Sequence, residues 1–451
     1  MKNKLFGNIT FYKEVMAIIL PIMAQQIVES LVELIDNVMI GRIGSAALTG
    51  VTVANKYFFL YNSALFGLGG AATIFIAQYF GAKESKKCQQ AYNAGLLFSM
   101  LFGLLFMIII MIYPKEIIQL FTTNKDIVKE GCDYLHYLRY SFIPYGISMI
   151  TMMALRPVGI NKVQLKIVST AVITNSILNY ILIFGHLGFS PMGTKGAAIA
   201  TLIARILEMS IYLVLLFKKK YFFKLDLYGM LHLDLELCKQ MVIKAIPLTI
   251  NEILFTLANT LVYKAYMRVD EIQVAAISVV DSVLNLAFIT MGGLSNAVSI
   301  MIGNRLGANE LEEAKDNALK LLVFGILIAL LSTVILWILA PLIPYLYNLE
   351  EEVNTTITAL IRLDGINMPA YIINSLIFFI LRAGGDTLST LIMDSGYLWL
   401  INVSISTILS LYTNLSLVTT YAIVEGLNWG KSILAIYFYK KGKWIRNITE
   451  Q

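Results

Sequence analysis

Apolar residues occur in twelve long runs that are separated by short polar or charged connections. The runs are close to the ~20 residues that an α-helix needs to cross the hydrocarbon core of a bilayer. They lack the ~10-residue dyad alternation of an outer-membrane β-barrel. The pattern predicts an all-α integral membrane protein with twelve transmembrane helices. The predicted helices lie at about residues 15–40, 46–78, 91–113, 134–155, 167–184, 196–217, 243–266, 272–302, 318–340, 358–381, 389–411 and 416–438.

The second half of the chain repeats the first at a constant spacing, the one that separates Pro21 from Pro247. Paired halves in an apolar chain are typical of secondary transporters, whose site lies between or within the halves. We therefore predict two homologous six-helix lobes, at residues 1–217 and 243–451, joined by a linker at 218–242. The other residues in this register include Arg42 and Arg268, Gly67 and Gly293, Gly81 and Gly307, Arg156 and Arg382.

Basic residues are distributed unequally between alternate connections. One set of connections, which includes both termini and the linker, holds 23 of the 35 Lys and Arg residues, and the opposite set holds seven. Because basic residues favour the cytoplasmic side, we expect both termini in the cytoplasm and the protein in the inner (plasma) membrane. Six helices are an even number, so both lobes begin on the same side and form parallel repeats. This arrangement suits two lobes that rock about a central cleft.

Composition agrees with a membrane protein and excludes other classes. Hydrophobic residues make up 58% of the 451 and charged residues 14%, whereas soluble domains average about 45–50% and about 25%. The net charge of +6 follows from the topology, so we expect lipid and small molecules as partners and no nucleic acid. We expect a monomer. The sequence has no GxxxxGK[ST] nucleotide loop and no nucleophile–base arrangement, so we expect neither ATP-driven transport nor an enzyme.

The first helix carries an unusual set of polar residues. Glu29, Glu33 and Asp36 stand at i, i+4 and i+7 and therefore share one face, with Gln25 one turn before them. Three acids facing lipid would be prohibitively costly, so the stripe must face a cavity or a partner helix. A carboxylate in such a place can exchange a proton or bind Na⁺ as the cavity opens and closes. The alternative is a structural polar seam between helices.

Two further helices place oxygen ligands at the depth of Asp36. Helix 5 carries Asn175 and Asn179 on one face, and helix 6 carries Thr201. Asp36, Asn179 and Thr201 are each predicted about one to one-and-a-half turns below the outer surface. One carboxylate, two amides and a hydroxyl suit a hard cation such as Na⁺, or a hydrogen-bonded proton. Helix-capping or packing asparagines are the alternative interpretation.

The second half departs from the first at these positions. Val262 stands where the repeat would place a partner for Asp36, and Glu252 aligns with Gln26. Glu252 lies within a long apolar run, so we predict a functional role for it. Asp281 is a weaker candidate, either for the cleft or for a structural ion pair. We interpret Arg205 and Glu208, three residues apart in helix 6, as a local pair.

Several motifs resemble those of the multidrug and toxic compound extrusion (MATE) transporters over essentially the whole chain. The resemblance rests on Pro21, Asp36-Asn37, Gly41-Arg42-x-Gly44, Ala77-Gln78-x-x-Gly81-Ala82 and Ala154-Leu155-Arg156, and in the second half on Pro247, Asn251-Glu252, Gly303-Asn304-x-x-Gly307-Ala308 and Leu381-Arg382-Ala383-Gly384-Gly385-Asp386-Thr387.

The resemblance implies export of cationic, often amphipathic drugs in exchange for H⁺ or Na⁺, with no other cofactor. It implies that Asp36, Asn175, Asn179 and Thr201 form the cation cluster of the first lobe. Some members have a second Asp where this chain has Asn179. Glu252 resembles the helix 7 acid of the second lobe, and Tyr371 stands where some branches carry an acid in helix 10.

Two function classes remain as predictions from the sequence. The first is a cation-coupled drug exporter whose cleft is lined by Gln25, Glu29, Glu33, Glu252 and Asp281. The second is a flippase for a lipid-linked or other amphipathic substrate, which would favour a cavity rich in Arg and Lys. The acidic stripe on helix 1 argues against the second.

Overall fold

A computed structural model describes residues 5–218, 222–224, 226, 228–270, 272–346 and 351–449. Most of the described residues are helical, and no strand occurs among them. The helices are α1 (Ile9–Gly41), α2 (Ser45–Gly81), α3 (Ser85–Ile112), α4 (Pro114–Gln119), α5 (Lys125–Leu138), α6 (Phe142–Leu155), α7 (Asn161–Phe184), α8 (Thr194–Lys218), α9 (Leu235–Val269), α10 (Val274–Gly307), α11 (Leu311–Leu339), α12 (Glu351–Ala383), α13 (Thr387–Leu391), α14 (Ser404–Tyr412) and α15 (Leu417–Lys441).

Ten helices within the described ranges are long and apolar enough to cross a membrane. Two predicted segments fall outside that group. The segment at 134–155 corresponds to α5 and α6, which a 3₁₀ turn at Arg139–Ser141 divides. The segment at 416–438 corresponds to α15, which is long enough but carries Glu425 and Lys431. The structure therefore accounts for all twelve predicted segments as helix.

The repeat of the sequence recurs in the backbone at the same spacing. α2 and α10 end at Gly81 and Gly307, and α3 and α11 begin four residues later in each half. The intervening turn places Lys83 and Asn309 in the left-handed region, both at φ 61°. A residue with a side chain is uncommon there, so the same local solution in both halves supports their homology.

The chain packs as two compact units. The N unit comprises residues 21–249, and the C unit comprises residues 1–20 and 250–451. Both divisions fall inside a helix, close to Pro21 of α1 and Pro247 of α9. The lobes at 1–217 and 243–451 follow the homology of the halves and stay a prediction, because the packing units divide at other residues.

Close backbone contact holds helices together within the N unit. Lipid tails are as apolar as Leu, so helix association in a membrane depends on packing rather than on the hydrophobic effect. Gly67 in α2 allows such packing, since a Cβ atom there would lie 2.5 Å from Thr249 Cα of α9. The absence of a side chain at Gly67 therefore lets α2 and α9 approach closely.

Candidate cation sites

The carboxylate of Asp36 lies between two asparagine side chains of α7. Asn179 Nδ2 donates to Asp36 Oδ1 at 2.8 Å. The Asn175 amide, oriented with its nitrogen toward the carboxylate, donates to Asp36 Oδ2 at 2.8 Å, and its oxygen accepts from the Thr201 backbone N at 3.2 Å. The reverse orientation would place the Asn175 oxygen against the carboxylate. The structure thus brings together the four residues predicted for the cation cluster.

The chemistry of this cluster fits a hard cation. Asn179 is 1% exposed, and its Oδ1 atom has no hydrogen-bond partner in the part of the chain that the structure describes. A buried acceptor without a donor is costly, and a cation would satisfy it. The hydroxyl of buried Tyr134 also lies close to Thr201 and Asp36. These groups offer oxygen atoms alone, which suits Na⁺ and excludes a soft metal.

The other α1 residues predicted for the substrate cleft lie on the surface of the N unit or just beneath it. Gln25 is 3% exposed, and its Nε2 donates to Glu29 Oε1 at 3.1 Å. Glu29 and Glu33 are exposed. These two acids are therefore available to a ligand, and Gln25 orients the first of them.

An ion pair in α8 lies close to both sets of carboxylates. Arg205 Nη1 is 2.8 Å from Glu208 Oε2, which confirms the predicted local pair. The Arg205 guanidinium also lies 4.7 Å from the Tyr145 ring centroid. Its positive charge acts on Asp36 and Glu29. The sequence spacing indicated the pair but not its proximity to α1, which depends on how the helices pack.

In the C unit, Glu252 of α9 pairs with Arg382 of α12. Arg382 Nη1 lies 3.6 Å from Glu252 Oε1, and the Arg382 side chain is 4% exposed. This pairing was not predicted, and it offsets part of the charge that Glu252 would offer to a ligand. Asp281 is exposed on α10, and it lies near Asp364 and Glu425. The structure does not bring Asp281 and Glu252 into one cluster.

A second ion pair joins α15 to a π-helical segment that follows α13. Asp394 binds Lys431 through a short contact, and Asn251 Nδ2 donates to Asp394 Oδ2 at 2.9 Å. The π-helical turns cover Ile392–Gly396 and Leu398–Val403. Such turns are rare and often lie at functional sites. This network was not predicted from the sequence, because its partners are far apart along the chain.

The C unit also contains a carboxyl pair that the sequence analysis missed. Tyr371 Oη lies 2.8 Å from Asp364 Oδ1 and 2.9 Å from Glu425 Oε2. Tyr421 donates to Asp364 Oδ2 at 2.8 Å, and Tyr266 lies 3.2 Å from Glu425 Oε1. The available signal was the spacing of Asp364 and Tyr371 in α12 and of Tyr421 and Glu425 in α15, which places each acid on the same helix face as a tyrosine.

Comparison with known proteins agrees with this architecture. The MatE family model matches residues 21–181 and again 247–408, so its two matches begin at Pro21 and Pro247, in the register of the repeat. The probable multidrug resistance protein YoeA of Bacillus subtilis is 26% identical over 94% of this chain and 92% of its own length. The probable multidrug resistance protein NorM of Thermotoga maritima is 22% identical over 96% of this chain and 93% of its own length.

Solved structures share the fold. An outward-facing multidrug resistance MATE family transporter of the MOP superfamily superimposes with a TM-score of 0.87 at 18% identity, over 98% of this chain and 97% of its own. A MOP superfamily transporter from Pyrococcus furiosus gives a TM-score of 0.86 at 17% identity, with the same coverage. The predicted twelve-helix membrane fold is confirmed. With two matches that together span well over half of its residues, the chain belongs to the MatE family of multidrug efflux transporters.

Proposed function

We propose that this chain exports organic cations across the plasma membrane in exchange for H⁺ or Na⁺, with Asp36 as the principal coupling carboxylate. The observation that carries the proposal is the geometry of Asp36, whose two oxygens accept 2.8 Å hydrogen bonds from two α7 amides. Beside it, the buried Asn179 Oδ1 lacks a donor among the described residues. Such a cluster can hold a proton or a monovalent hard cation, and it supplies one negative charge.

The exposed acids of the N unit support a cationic substrate. Glu29 and Glu33 present carboxylates on the same face of α1 as Asp36. In poorly screened surroundings a carboxylate attracts a lipophilic cation strongly. Loading the N unit with H⁺ or Na⁺ removes part of this attraction, so ion and drug bind in opposition. Glu252 has a smaller role in this proposal, because Arg382 already offsets its charge.

Opposed binding produces exchange when the two loaded states favour different conformations. A ligand shifts a conformational equilibrium only by its difference in affinity for the two states. We propose that the lobes rock between inward- and outward-open states, with both termini in the cytoplasm, and that a monomer is sufficient. The flippase alternative is less favoured, because the relatives described above are multidrug resistance proteins.

The test is dye efflux from cells that lack their own multidrug exporters. Cells that express the protein are loaded with ethidium, and a pH or a Na⁺ gradient is imposed separately. We expect faster efflux under one of the two gradients than in cells carrying the empty vector. Equal efflux with and without the protein under both gradients would overturn the proposal.

A further inference from the structure

Asp364 and Glu425 are neighbouring acids in membrane-spanning helices of the C unit. Asp364 is 0% exposed. Across the described ranges, no Lys, Arg or His nitrogen forms an ion pair with either carboxyl. Buried charges in proteins are paired, bind a cation or are neutralised by a proton. A doubly ionised pair would therefore be strongly unfavourable here.

The hydroxyl of Tyr371 allows the protons to be counted. It lies within hydrogen-bond distance of Asp364 Oδ1 and of Glu425 Oε2. A tyrosine hydroxyl has one hydrogen, and an ionised carboxylate is an acceptor only. If both acids were ionised, one of the two contacts would bring lone pairs together at hydrogen-bond distance. One additional proton turns both contacts into hydrogen bonds.

The residues around Glu425 show an independent surplus of acceptors. Asn374 Nδ2 donates to the Asn428 carbonyl, and Asn402 Nδ2 donates to the Val424 carbonyl. Both side chains are more than nine-tenths buried, at 6% and 5% exposure. Their Oδ1 atoms have no donor in the part of the chain that the structure describes. The residues that flank Glu425 in α15 are thus bonded by amides whose own oxygens lack donors among the described residues, so the surroundings of the pair are short of hydrogen-bond donors.

We propose that Asp364 and Glu425 form a proton-binding site in the C unit, separate from Asp36, in which the two carboxyls hold one proton in addition to the hydroxyl hydrogen of Tyr371. The occupancy of this site does not depend on the ion-coupled function proposed above. When the proton passes to a water molecule, the Glu425 Oε2–H bond breaks, a hydronium ion forms and the pair carries two negative charges. Release therefore requires water to reach the pair, which links proton binding to the conformation of the C unit.

The hydrogen bonds place the proton on Glu425. Asp364 accepts two hydroxyl hydrogen bonds of 2.8 Å, from Tyr371 and Tyr421, which stabilise an ionised carboxylate. Glu425 accepts from Tyr266 at 3.2 Å and from Asn428 Nδ2 at 3.2 Å, and longer bonds stabilise the charge less.

The groups that face the pair come from four helices. They are Tyr266 of α9, Asp281 of α10, Tyr371 of α12, and Tyr421 and Asn428 of α15. Asp281 is a further negative charge, so it also favours retention of the proton.

Infrared difference spectroscopy on the purified protein tests the site without drug or gradient. The wild-type spectrum minus that of Glu425→Gln should show one protonated carboxyl band at neutral pH. Tyr266→Phe should move this band to higher frequency, because the Glu425 carbonyl loses its hydrogen bond. Tyr397→Phe is the matched control, since Tyr397 donates to the Leu427 backbone carbonyl and should leave the band in place.

Each other outcome contradicts the proposal. A difference spectrum without a carboxyl band would mean that Glu425 is ionised. A band that disappears when Na⁺ replaces choline would assign the site to a metal cation. If Glu425→Gln fails to fold, the comparison of the two tyrosine variants with wild type decides. A band that Tyr266→Phe does not move would place the proton elsewhere.

Discussion

Replacing Asp36 with Asn should abolish drug accumulation while the protein still folds. The substitution keeps the shape of the side chain and removes its charge. The new amide oxygen can accept from Asn179, and the new amide nitrogen can donate to Asn175 once that amide turns over. At most one hydrogen bond is lost, which costs about 0.5–1.5 kcal/mol of stability. Normal expression and a small change in melting temperature are therefore expected.

The expected transport defect is much larger. Under the proposed function, the single carboxylate of the cluster would exchange one monovalent ion for one monovalent drug. A tenfold ion gradient provides about 1.4 kcal/mol and can sustain a drug gradient of about tenfold. This one-for-one exchange at Asp36 moves no net charge, so the membrane potential adds nothing to that factor. In the Asp36→Asn protein the ratio of drug concentrations across the membrane should fall to one.

Proteoliposomes that contain purified protein provide the assay. Ethidium accumulation is measured under a tenfold gradient of H⁺ or Na⁺, with and without a potassium-diffusion potential. Asp126→Asn, an exposed acid at the start of α5, is the control and should behave as wild type. A near-normal gradient with Asp36→Asn would refute the assignment of the coupling carboxylate.

Three further predictions follow from other parts of the molecule. Single Gln replacements of Glu29 or Glu33 should weaken resistance to ethidium-like cations more than to an uncharged compound of similar size, and equal losses would contradict an acidic substrate site. Leu231→Cys, in a background without native cysteines, should resist an impermeant thiol reagent applied outside intact cells, because the linker is predicted to be cytoplasmic; efficient labelling would reverse the topology. Gly67→Ala should destabilise the protein by about 1–3 kcal/mol through overpacking and so lower its melting temperature. Gly426→Ala is the control, because a Cβ added there meets nothing within 4 Å, and it should not lower the melting temperature by overpacking.

Much of the architecture could be predicted from the sequence, because it depends on local pattern and on the repeat. Long apolar runs identify the helices, and the spacing of the repeat recurs where α3 and α11 begin at Ser85 and Leu311. The 3₁₀ turn at Arg139–Ser141 could not be predicted, because no Pro or Gly marks it.

The candidate sites also include residues that could be predicted from local pattern and residues that could not. Asp36, Asn175 and Asn179 could be grouped from helix faces and a common depth. Tyr371 was interpreted from the resemblance as the loss of an acid. The structure instead shows Tyr371 between two other acids, which only the packing of α12 against α15 brings together. Contacts between helices distant in sequence are set by packing, and periodicity within one helix does not reveal them.

The direct test of ion exchange is ion movement driven by a drug gradient alone. Proteoliposomes are loaded with ethidium and diluted into dye-free buffer with equal H⁺ and Na⁺ on both sides, and an internal pH or Na⁺ indicator is recorded. We expect one of the two ions to enter as dye leaves, and Asp36→Asn to stop this entry. Dye efflux through the wild-type protein without movement of either ion would contradict this expectation.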